Sequence, residues 1–337
     1  MNIKEVAKLA GVSTATVSRT MNGSAKVRPE TAERVMAAIE RLNFHPDTNA
    51  RALGSGRSNL YGLIISDITN PFFPELVKSF EDIAVRYRQE VLVSNTNYES
   101  VRMKICVERM LQRRVEGVAI MTSEMDDRLI EDFRRMHIPM VFLDSGKPEP
   151  GVSCVRLDYS AGVDAAMQHL IKLRHRRIAF LTGPLKLASA QARYKAFLES
   201  AVRHQLDVNP GLIQEGNHKM EGGHEAMRRV LSSRKRPTAV LASNDLSAIG
   251  AMGAIAEAGL RVPEDISVVG FDDIQMSAYV SPPLTTVAMP RTQIAGAAFH
   301  ALFREDSPRT AKPLKGEMHI IQPTLVVRKS TGPARRN

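Results

Sequence analysis

The sequence predicts an α/β protein in which an all-α helix-turn-helix head precedes a two-lobed body built on parallel sheets. Three observations carry this. Residues 2–21 hold two short amphipathic helical segments around Gly11-Val12. From residue 58 onward, short β-branched apolar runs alternate with amphipathic stretches, the pattern of β-α units whose parallel strands are covered on both faces. The strands are too many for one small sheet, so two lobes joined by crossovers fit better. A chain of 337 residues is long enough for a small head and two lobes that each bury a core.

In the head, Asn2 can cap a first helix, with Glu5 completing a capping box. Val6, Leu9 and Ala10 have helical apolar spacing and form its inner face. Gly11 tolerates the positive φ at which that helix breaks. Ser13 caps a second helix, with Val17 and Met21 on one face. Ala7, Gly11 and Val17 thus supply the small residue, turn glycine and core anchor of a helix-turn-helix, the alternative being an ordinary αα-hairpin. Pro29 fits the first turn of a third helix, where its missing N–H costs nothing, and Val35, Ile39 and Leu42 form the core stripe. Phe44-His45-Pro46-Asp47 stops that helix. Residues 48–53 are good helix formers in a run too short to hold helix alone, which suits a hinge that orders on binding.

Net charge is +10, which makes an anionic partner the first expectation. Residues 1–60 hold nine basic against five acidic side chains, a net of +4. Cys106 and Cys154 stand singly in apolar stretches and read as buried thiols, not as a disulfide or a zinc site. Lys4, Glu5 and Lys8 stand where a signal peptide needs an apolar core, and no run of about 18 apolar residues occurs. The expectation is a cytoplasmic chain with no membrane partner. The histidines show no H-E-x-x-H or paired ligand spacing, so no metal is expected. A G-x-x-x-x-G-K-[ST] phosphate loop, a Rossmann G-x-G-x-x-G and a G-x-S-x-G elbow are all absent, which opposes an enzyme and a nucleotide cofactor.

Ile3-x-x-Val6-Ala7-x-x-Ala10-Gly11-Val12-Ser13-x-x-Thr16-Val17-Ser18-Arg19, then Asn22-Gly23, resembles the head of the LacI/GalR family of bacterial transcriptional regulators. The resemblance continues through Gly62-Leu63-Ile64, Asp67-Ile68-Thr69-Asn70-Pro71-Phe72-Phe73, Ser243-Asn244-Asp245, Gly270-Phe271-Asp272-Asp273 and Pro282-Pro283-Leu284-Thr285-Thr286-Val287, covering about residues 2–331. It implies a helix-turn-helix domain over 1–47, a hinge helix and linker over 48–57, and a periplasmic-binding-protein-like body over 58–329 for effector binding and dimerisation. One lobe would take about 58–158 and 291–321, the other about 161–287 and 322–329. The second helix would be the recognition helix. Thr14, Ala15 and Arg19 would face the major groove, where Arg can make a bidentate contact to guanine and the methyl groups suit thymine. Ser13, Thr16 and Ser18 would mostly meet phosphates, with Asn22 adding a further DNA contact. Paired hinges carrying Asn49, Ala50 and Leu53 would enter the minor groove, Leu53 as an apolar wedge. Two departures stand out: Arg28 replaces the usual Ser or Thr cap before Pro29, and Arg174 replaces a helix-ending glycine. Arg174 then either adopts a left-handed conformation or the turn differs.

Ligands of open parallel sheets bind beyond the carboxyl ends of the strands. The polar residues placed there are Asp67, Asn70, Asn95, Asn97, Ser123, Asp144, Asn244, Asp245 and Asp272, and two facing lobes would aim them into one cleft. Phe72 and Phe73 follow the first strand, where one aromatic could stack on a sugar or base and the other could be core. Asp67, Asn244 and Asp245 also suit helix caps, Asp245 above all. The resemblance adds Arg193, at the start of the helix after 183–185, as a binder of effector hydroxyls or carboxylates. It also adds Ser189 as a polar contact one turn earlier and His218 as a pocket wall. Arg193, Asn244 and Asp272 together suit a polyol, with a purine or sugar phosphate as other candidates.

The expected function is a sequence-specific DNA-binding regulator, most simply a repressor, that binds a palindromic double-stranded operator as a homodimer under control of a small molecule in the inter-lobe cleft. Regulation of the same fold by a co-repressor or a partner protein is the alternative. A periplasmic solute-binding protein would share the body, but the head opposes it. Residues 330–337 lack a leucine heptad and read as a frayed basic tail, which points to a dimer and not a tetramer.

Overall fold

The computed structural model describes residues 2–21, 26–44, 57–122, 127–303 and 315–335. Asn22, Ser123 and the hinge residues Asn49, Ala50 and Leu53 lie outside the described residues. The chain divides into two compact units, residues 1–58 and 59–337, each considered by itself.

The first unit holds α1 (Ile3–Ala10), α2 (Thr14–Met21) and α3 (Pro29–Arg41). The capping box forms: Asn2 Oδ1 accepts from the Lys4 and Glu5 amides, and Glu5 accepts from the Asn2 amide. Gly11 turns the chain at φ 63°, and Ser13 Oγ accepts from the Thr16 amide to start α2. Val6, Ala7, Ala10, Val17, Val35, Ala38 and Phe44 close the core, with Met21, Ile39 and Leu42 half-buried at its rim. Leu9 departs from the expectation and is 43% exposed. At 3.6 residues per turn it lies roughly 100° around α1 from the mean direction of Val6, Ala7 and Ala10, which already fill the inner face. Arg28 stands at the cap of α3 without any side-chain cap bond, and Pro29 opens the helix.

The second unit contains two six-stranded sheets. The first half of the chain supplies β1 (Leu60–Ile65), α4 (Phe72–Arg86), β2 (Glu90–Asn95), α5 (Ser100–Gln112), β3 (Gly117–Met121), α6 (Asp127–Arg135), β4 (Met140–Leu143) and β5 (Val152–Leu157). The chain then continues through α7 (Tyr159–Lys172), β6 (Ile178–Thr182), α8 (Ala188–Arg203), β7 (Ile213–Glu215), α9 (Met220–Leu231), β8 (Ala239–Ala242), α10 (Asp245–Glu257), β9 (Ser267–Asp272) and β10 (Thr285–Ala288). After α11 (Arg291–Leu302) come β11 (Met318–Ile321) and β12 (Thr324–Val326). One sheet runs β11-β5-β4-β3-β1-β2 and the other β12-β10-β9-β8-β6-β7, all parallel except the β10–β12 pair. The chain therefore passes between lobes after β5, after β10 and after β11. The central strands β3, β6, β8 and β9 are buried along their whole length, as parallel strands covered on both faces must be.

Three features differ from the sequence reading. The helix expected to open at Arg193 opens at Ala188, which moves Arg193 into its second turn. The alternation of β-branched runs and amphipathic stretches is not regular throughout: Arg156 interrupts the apolar run of β5, and charged residues dominate α6. Residues 330–335 are not a frayed tail but a strap docked on the second lobe. Ser330 is fully buried, its hydroxyl donating to Val268 O at 2.6 Å and accepting from the Thr285 amide at 2.8 Å. Gly332 and Ala334 extend the strap through bonds to Ser267, His175 and Leu173 O. Arg174 does adopt the left-handed conformation, at φ 70°.

Ser330→Ala leaves the Thr285 amide and the Val268 carbonyl buried with a bond each fewer. It is expected to lower the unfolding free energy of the body by about 1–3 kcal/mol. Urea unfolding followed by circular dichroism measures this; an unchanged midpoint would mean that the strap does not contribute.

Candidate ligand cleft and nucleic-acid interface

On α2 the outward face follows from helix geometry. Val17 is buried, which turns Thr14, Ala15 and Arg19 to the exposed side, with Thr16 and Ser18 half-buried beside them. Arg19 has no carboxylate partner among the described residues. Ser13 Oγ and Thr16 Oγ1 lie 2.9 Å apart and hold each other at the start of the helix. A short helix start carrying hydroxyls, two methyl groups and an unpaired guanidinium has the chemistry to meet a phosphate backbone and a base edge.

In the body, the carboxyl ends of both sheets open on one cleft, open to solvent and lined from both lobes. It brings together every expected effector residue: Phe72, Phe73, Ser189, Arg193, His218, Asn244 and Asp272. Phe72 and Phe73 both line it, edge to face with centroids 5.3 Å apart, and both are buried, so neither is core alone. Ser189 is half-buried in the first turn of α8.

Arg193 sits at the centre, 6% exposed. Its Nη1 donates to Ser243 O at 2.5 Å, and its guanidinium stands 4.9 Å from the Tyr159 ring centre and 4.7 Å from that of Phe271. Its Nη2 is 3.9 Å from Asp272 Oδ1, beyond direct hydrogen-bond reach. Asp272 ends β9 at φ 116°. Burial pushes its carboxyl up to about 7, against the pull of Arg193 and Arg291. His218 turns at φ 62° with its ring against Gly183, where a Cβ would stand 1.8 Å from His218 Nε2. Burial, reinforced by the Arg193 charge, holds its imidazole down to about 3, so the ring is neutral. Arg193 Nε and His218 Nε2 are buried and without a hydrogen-bond partner among the described residues.

Asn244 is both cap and wall. Its Oδ1 accepts from the Ser247 amide to start α10, and its Nδ2 donates to His218 O at 2.8 Å. Asp245 does not cap, contrary to expectation. It already lies inside α10, and its carboxylate accepts from Thr286 Oγ1 and the Ile274 amide, tying β10 to the turn after β9. Gly270 leaves the space for it, since a Cβ there would come within 2.1 Å of Asp245 Oδ1. Asp67 and Asn95 serve the β1–α4 loop, accepting from Thr69 and from the Ile68 amide. Asn70 lines the cleft while accepting from the Phe72 amide, and Asn97 bonds Glu99.

Sequence reasoning left Tyr159, Tyr98 and Met289 out of the cleft and did not place Asp144 among its principal residues. Asp144 follows β4, the position that should have marked it; it accepts from Tyr159 OH at 2.5 Å and from the Leu157 amide, and burial raises its carboxyl. Tyr159 stands two residues past the carboxyl end of β5, which runs parallel to β4 and so ends on the same side as Asp144.

A clasp joins the lobes beside the cleft. Glu75, in the first turn of α4, accepts from the Gln275 amide at 2.9 Å and pairs with Arg291 at 3.0 Å. Arg291 also donates to Asp272 O at 2.7 Å and to Asp273 O at 2.8 Å, and Arg328 pairs with Asp273 at 2.6 Å. The left-handed Asp272-Asp273 turn is thereby held from both lobes.

Among the described residues no helix is long and apolar enough to cross a membrane. Residues 2–47 match the family model of bacterial regulatory proteins of the lacI family, and residues 167–331 match the periplasmic binding protein-like domain. The HTH-type transcriptional repressor PurR of Histophilus somni is 35% identical over 329 residues, covering 97% of this chain and 98% of the relative. The Lac repressor dimer bound to operator and the anti-inducer ONPF superposes with a TM-score of 0.85 at 30% identity, covering 98% of this chain and 99% of that one. The transcriptional regulator CelR in complex with cellobiose gives 0.72 at 28% identity, with 98% and 99% covered.

Asp272 and His218 act on stability with opposite signs. The native Asp272 carboxyl keeps its proton up to about pH 7, whereas the unfolded one loses it near pH 4. Its contribution is full in acid and is lost as pH rises through about 7. The His218 contribution is present above roughly pH 6.5 and is lost as pH falls toward about 3. Asp272→Asn removes the first and keeps the second. Between about pH 6.5 and 4.5 the unfolding midpoint of the variant should therefore fall more steeply on acidification than that of the native chain. Parallel pH profiles would refute a buried, protonated Asp272.

Arg291→Met strips donors from two carbonyls and leaves Glu75 without its charge partner. A loss of about 2–4 kcal/mol in denaturant unfolding is expected. Arg291→Lys should restore little, because an ammonium cannot span both carbonyls and the carboxylate.

Proposed function

Because the chain belongs to the LacI family of bacterial transcriptional regulators, we propose that it represses transcription as a cytoplasmic homodimer whose operator affinity is set by a hydroxylated small molecule in the inter-lobe cleft. It is a sequence-specific DNA-binding regulator. In this reading the exposed face of α2 enters the major groove through Thr14, Ala15 and Arg19, while Ser13, Thr16 and Ser18 meet the backbone. Asn22 and the hinge residues Asn49, Ala50 and Leu53 complete the DNA contacts, Leu53 as a minor-groove wedge.

The gap between Arg193 Nη2 and Asp272 Oδ1 carries the ligand class. At 3.9 Å the two groups are too far apart to bond each other. A hydroxyl accepts from the one and exchanges a hydrogen bond with the other in either form of the Asp272 carboxyl, which an apolar group cannot do. His218 Nε2 and Arg193 Nε add buried polar atoms without partners among the described residues, and Phe72 and Phe73 supply apolar faces on which a sugar ring stacks. The cellobiose complex of CelR supports a saccharide. For the dimer, the Lac repressor precedent is supported by Val101 and Ile105, exposed apolar residues one turn apart on α5. Induction and co-repression differ only in which conformation the ligand prefers, and a titration of operator affinity against ligand reads the sign directly.

A thermal-shift screen of mono- and disaccharides on the full chain identifies ligands, and calorimetry measures them. Arg193→Ala is expected to weaken binding by about 2–5 kcal/mol, enough to abolish a micromolar site. Operator binding should persist, and selection from randomised duplexes should return a palindrome. Unchanged ligand affinity in the variant would remove Arg193 from the site, and an asymmetric selected sequence would count against the dimer.

A further inference from the structure

At the end of the second sheet opposite the cleft, two basic runs stand side by side. Lys172-Leu173-Arg174-His175-Arg176-Arg177 leads into β6, and Arg234-Lys235-Arg236 leads into β8. These strands are hydrogen-bonded neighbours with Ile178 opposite Ala239. The runs are stitched together: Thr238 N donates to Arg177 O at 2.9 Å, and Arg177 Nε donates to Arg236 O at 3.1 Å. Arg236 Nε in turn donates to Leu231 O at the end of α9. Arg174, Arg176, Arg177, Arg234, Lys235 and Arg236 are all exposed, and neither run contains a carboxylate. Among the described residues none of the six forms an ion pair, whereas Arg335 and Arg261 close by are paired with Asp265.

This concentration of like charge is not a requirement of the fold. Arg174 occupies a left-handed turn at φ 70° that glycine holds without strain. The structural member of the first run is His175, which is buried and bonds Thr238, Ser267 and Gly332 O. The one apolar residue of the runs, Leu173, is half-buried, and neither run holds Phe, Tyr or Trp. A surface that offers planar guanidinium donors without apolar or aromatic contacts fits repeated phosphates.

We propose that this ledge binds the phosphodiester backbone of double-stranded DNA, independently of sequence and as a site of the body separate from the helix-turn-helix. The proposal does not rest on the effector reading. Each phosphate neutralised should contribute about −0.9 to the slope of log affinity against log salt.

The test uses the full chain with Arg19→Glu, which disables base reading by the head, and a random duplex of roughly 30 base pairs followed by fluorescence anisotropy. The comparison variant adds Arg174→Gln, Arg176→Gln, Arg234→Gln and Lys235→Gln, sparing the two arginines whose Nε bonds hold the ledge together. Four contacts predict a loss of at least tenfold in affinity near 50 mM salt and a salt slope shallower by about 3–4. Equal thermal unfolding of the two proteins shows that the fold is retained; should the fourfold variant unfold, Arg234→Gln with Lys235→Gln alone should give about half the change in slope. Affinity and slope unaffected by the glutamines, or no duplex binding at all before they are introduced, would overturn the proposal. So would polyglutamate binding the ledge as tightly as duplex, which would assign it to an acidic protein partner.

Discussion

The cleft depends on one buried guanidinium. Arg193 packs over two adjoining aromatic rings with most of its surface removed from water, an environment that a cation tolerates only with compensation. The ring faces of Tyr159 and Phe271, the Ser243 carbonyl and the more distant Asp272 carboxyl provide it. Each of these is held in turn. Tyr159 is fixed by Asp144, and Asp272 is held in a conformation unusual for a residue with a Cβ. Two carbonyls of that strained turn are satisfied from the facing lobe by Arg291, whose own charge is met by Glu75 of its own lobe. A network that begins with one buried charge therefore ends by joining both lobes. Strain and unsatisfied polar atoms collect in the place where a ligand can relieve them.

How much of this was legible in the sequence depended on whether a residue's role is local. The head was readable because its determinants lie within one or two turns: the Asn2–Glu5 box, the Gly11 break and the Val17 anchor act over short separations. Leu9 was misjudged because spacing alone does not say where the centre of a short helix's buried stripe lies. The strand ends of the body were readable from apolar runs, and Asn244 and Asp272 followed from their positions just beyond or at those ends. Arg193, Ser189 and His218 came from family resemblance, and the fold brings them together with the rest. Tyr159, Glu75 and Arg291 could not be read this way. Their contacts span from 15 to 216 residues of chain, and a charged residue at a helix start is ordinary until its partner is known. Asp245 shows the converse case: its position suggested a local cap, and a tertiary hydrogen bond from Ile274 claimed it.

The C-terminal strap makes a related point about composition. Small, polar and basic residues after β12 suggest fraying, because such residues rarely bury enough apolar surface to offset their ordering entropy. Here the order comes from backbone pairing instead. Val268 and Lys329 amides, the Ser330 hydroxyl and the Ala334 amide all find partners across the strap, so the segment behaves as an addition to the sheet's lower edge. Hydrogen-bonding capacity, unlike hydrophobicity, leaves no periodic trace in a sequence.

The clasp also indicates how a small molecule changes a large one. The helix α4 carries Phe72 and Phe73 into the cleft at its start and Glu75 into the clasp less than one turn later. A ligand that packs against the first two acts on a rigid element that also carries Glu75, which accepts from the Gln275 amide of the facing lobe. On the facing lobe the turn at Asp272 presents a carboxyl to the cleft and its carbonyls to Arg291. The proposed ligand contacts and the clasp contacts thus share the same two pieces of backbone, and a ligand that re-orients either piece acts on the hydrogen bonds that cross between the lobes. The effect on lobe arrangement is bounded by the ligand's differential affinity for the two arrangements. About 1.4 kcal/mol is needed for each tenfold change in their ratio. One hydroxyl bridging Arg193 and Asp272 through charge-assisted hydrogen bonds is of that order. In the proposed reading, each such bond that forms in only one lobe arrangement changes the ratio of the two arrangements by about tenfold.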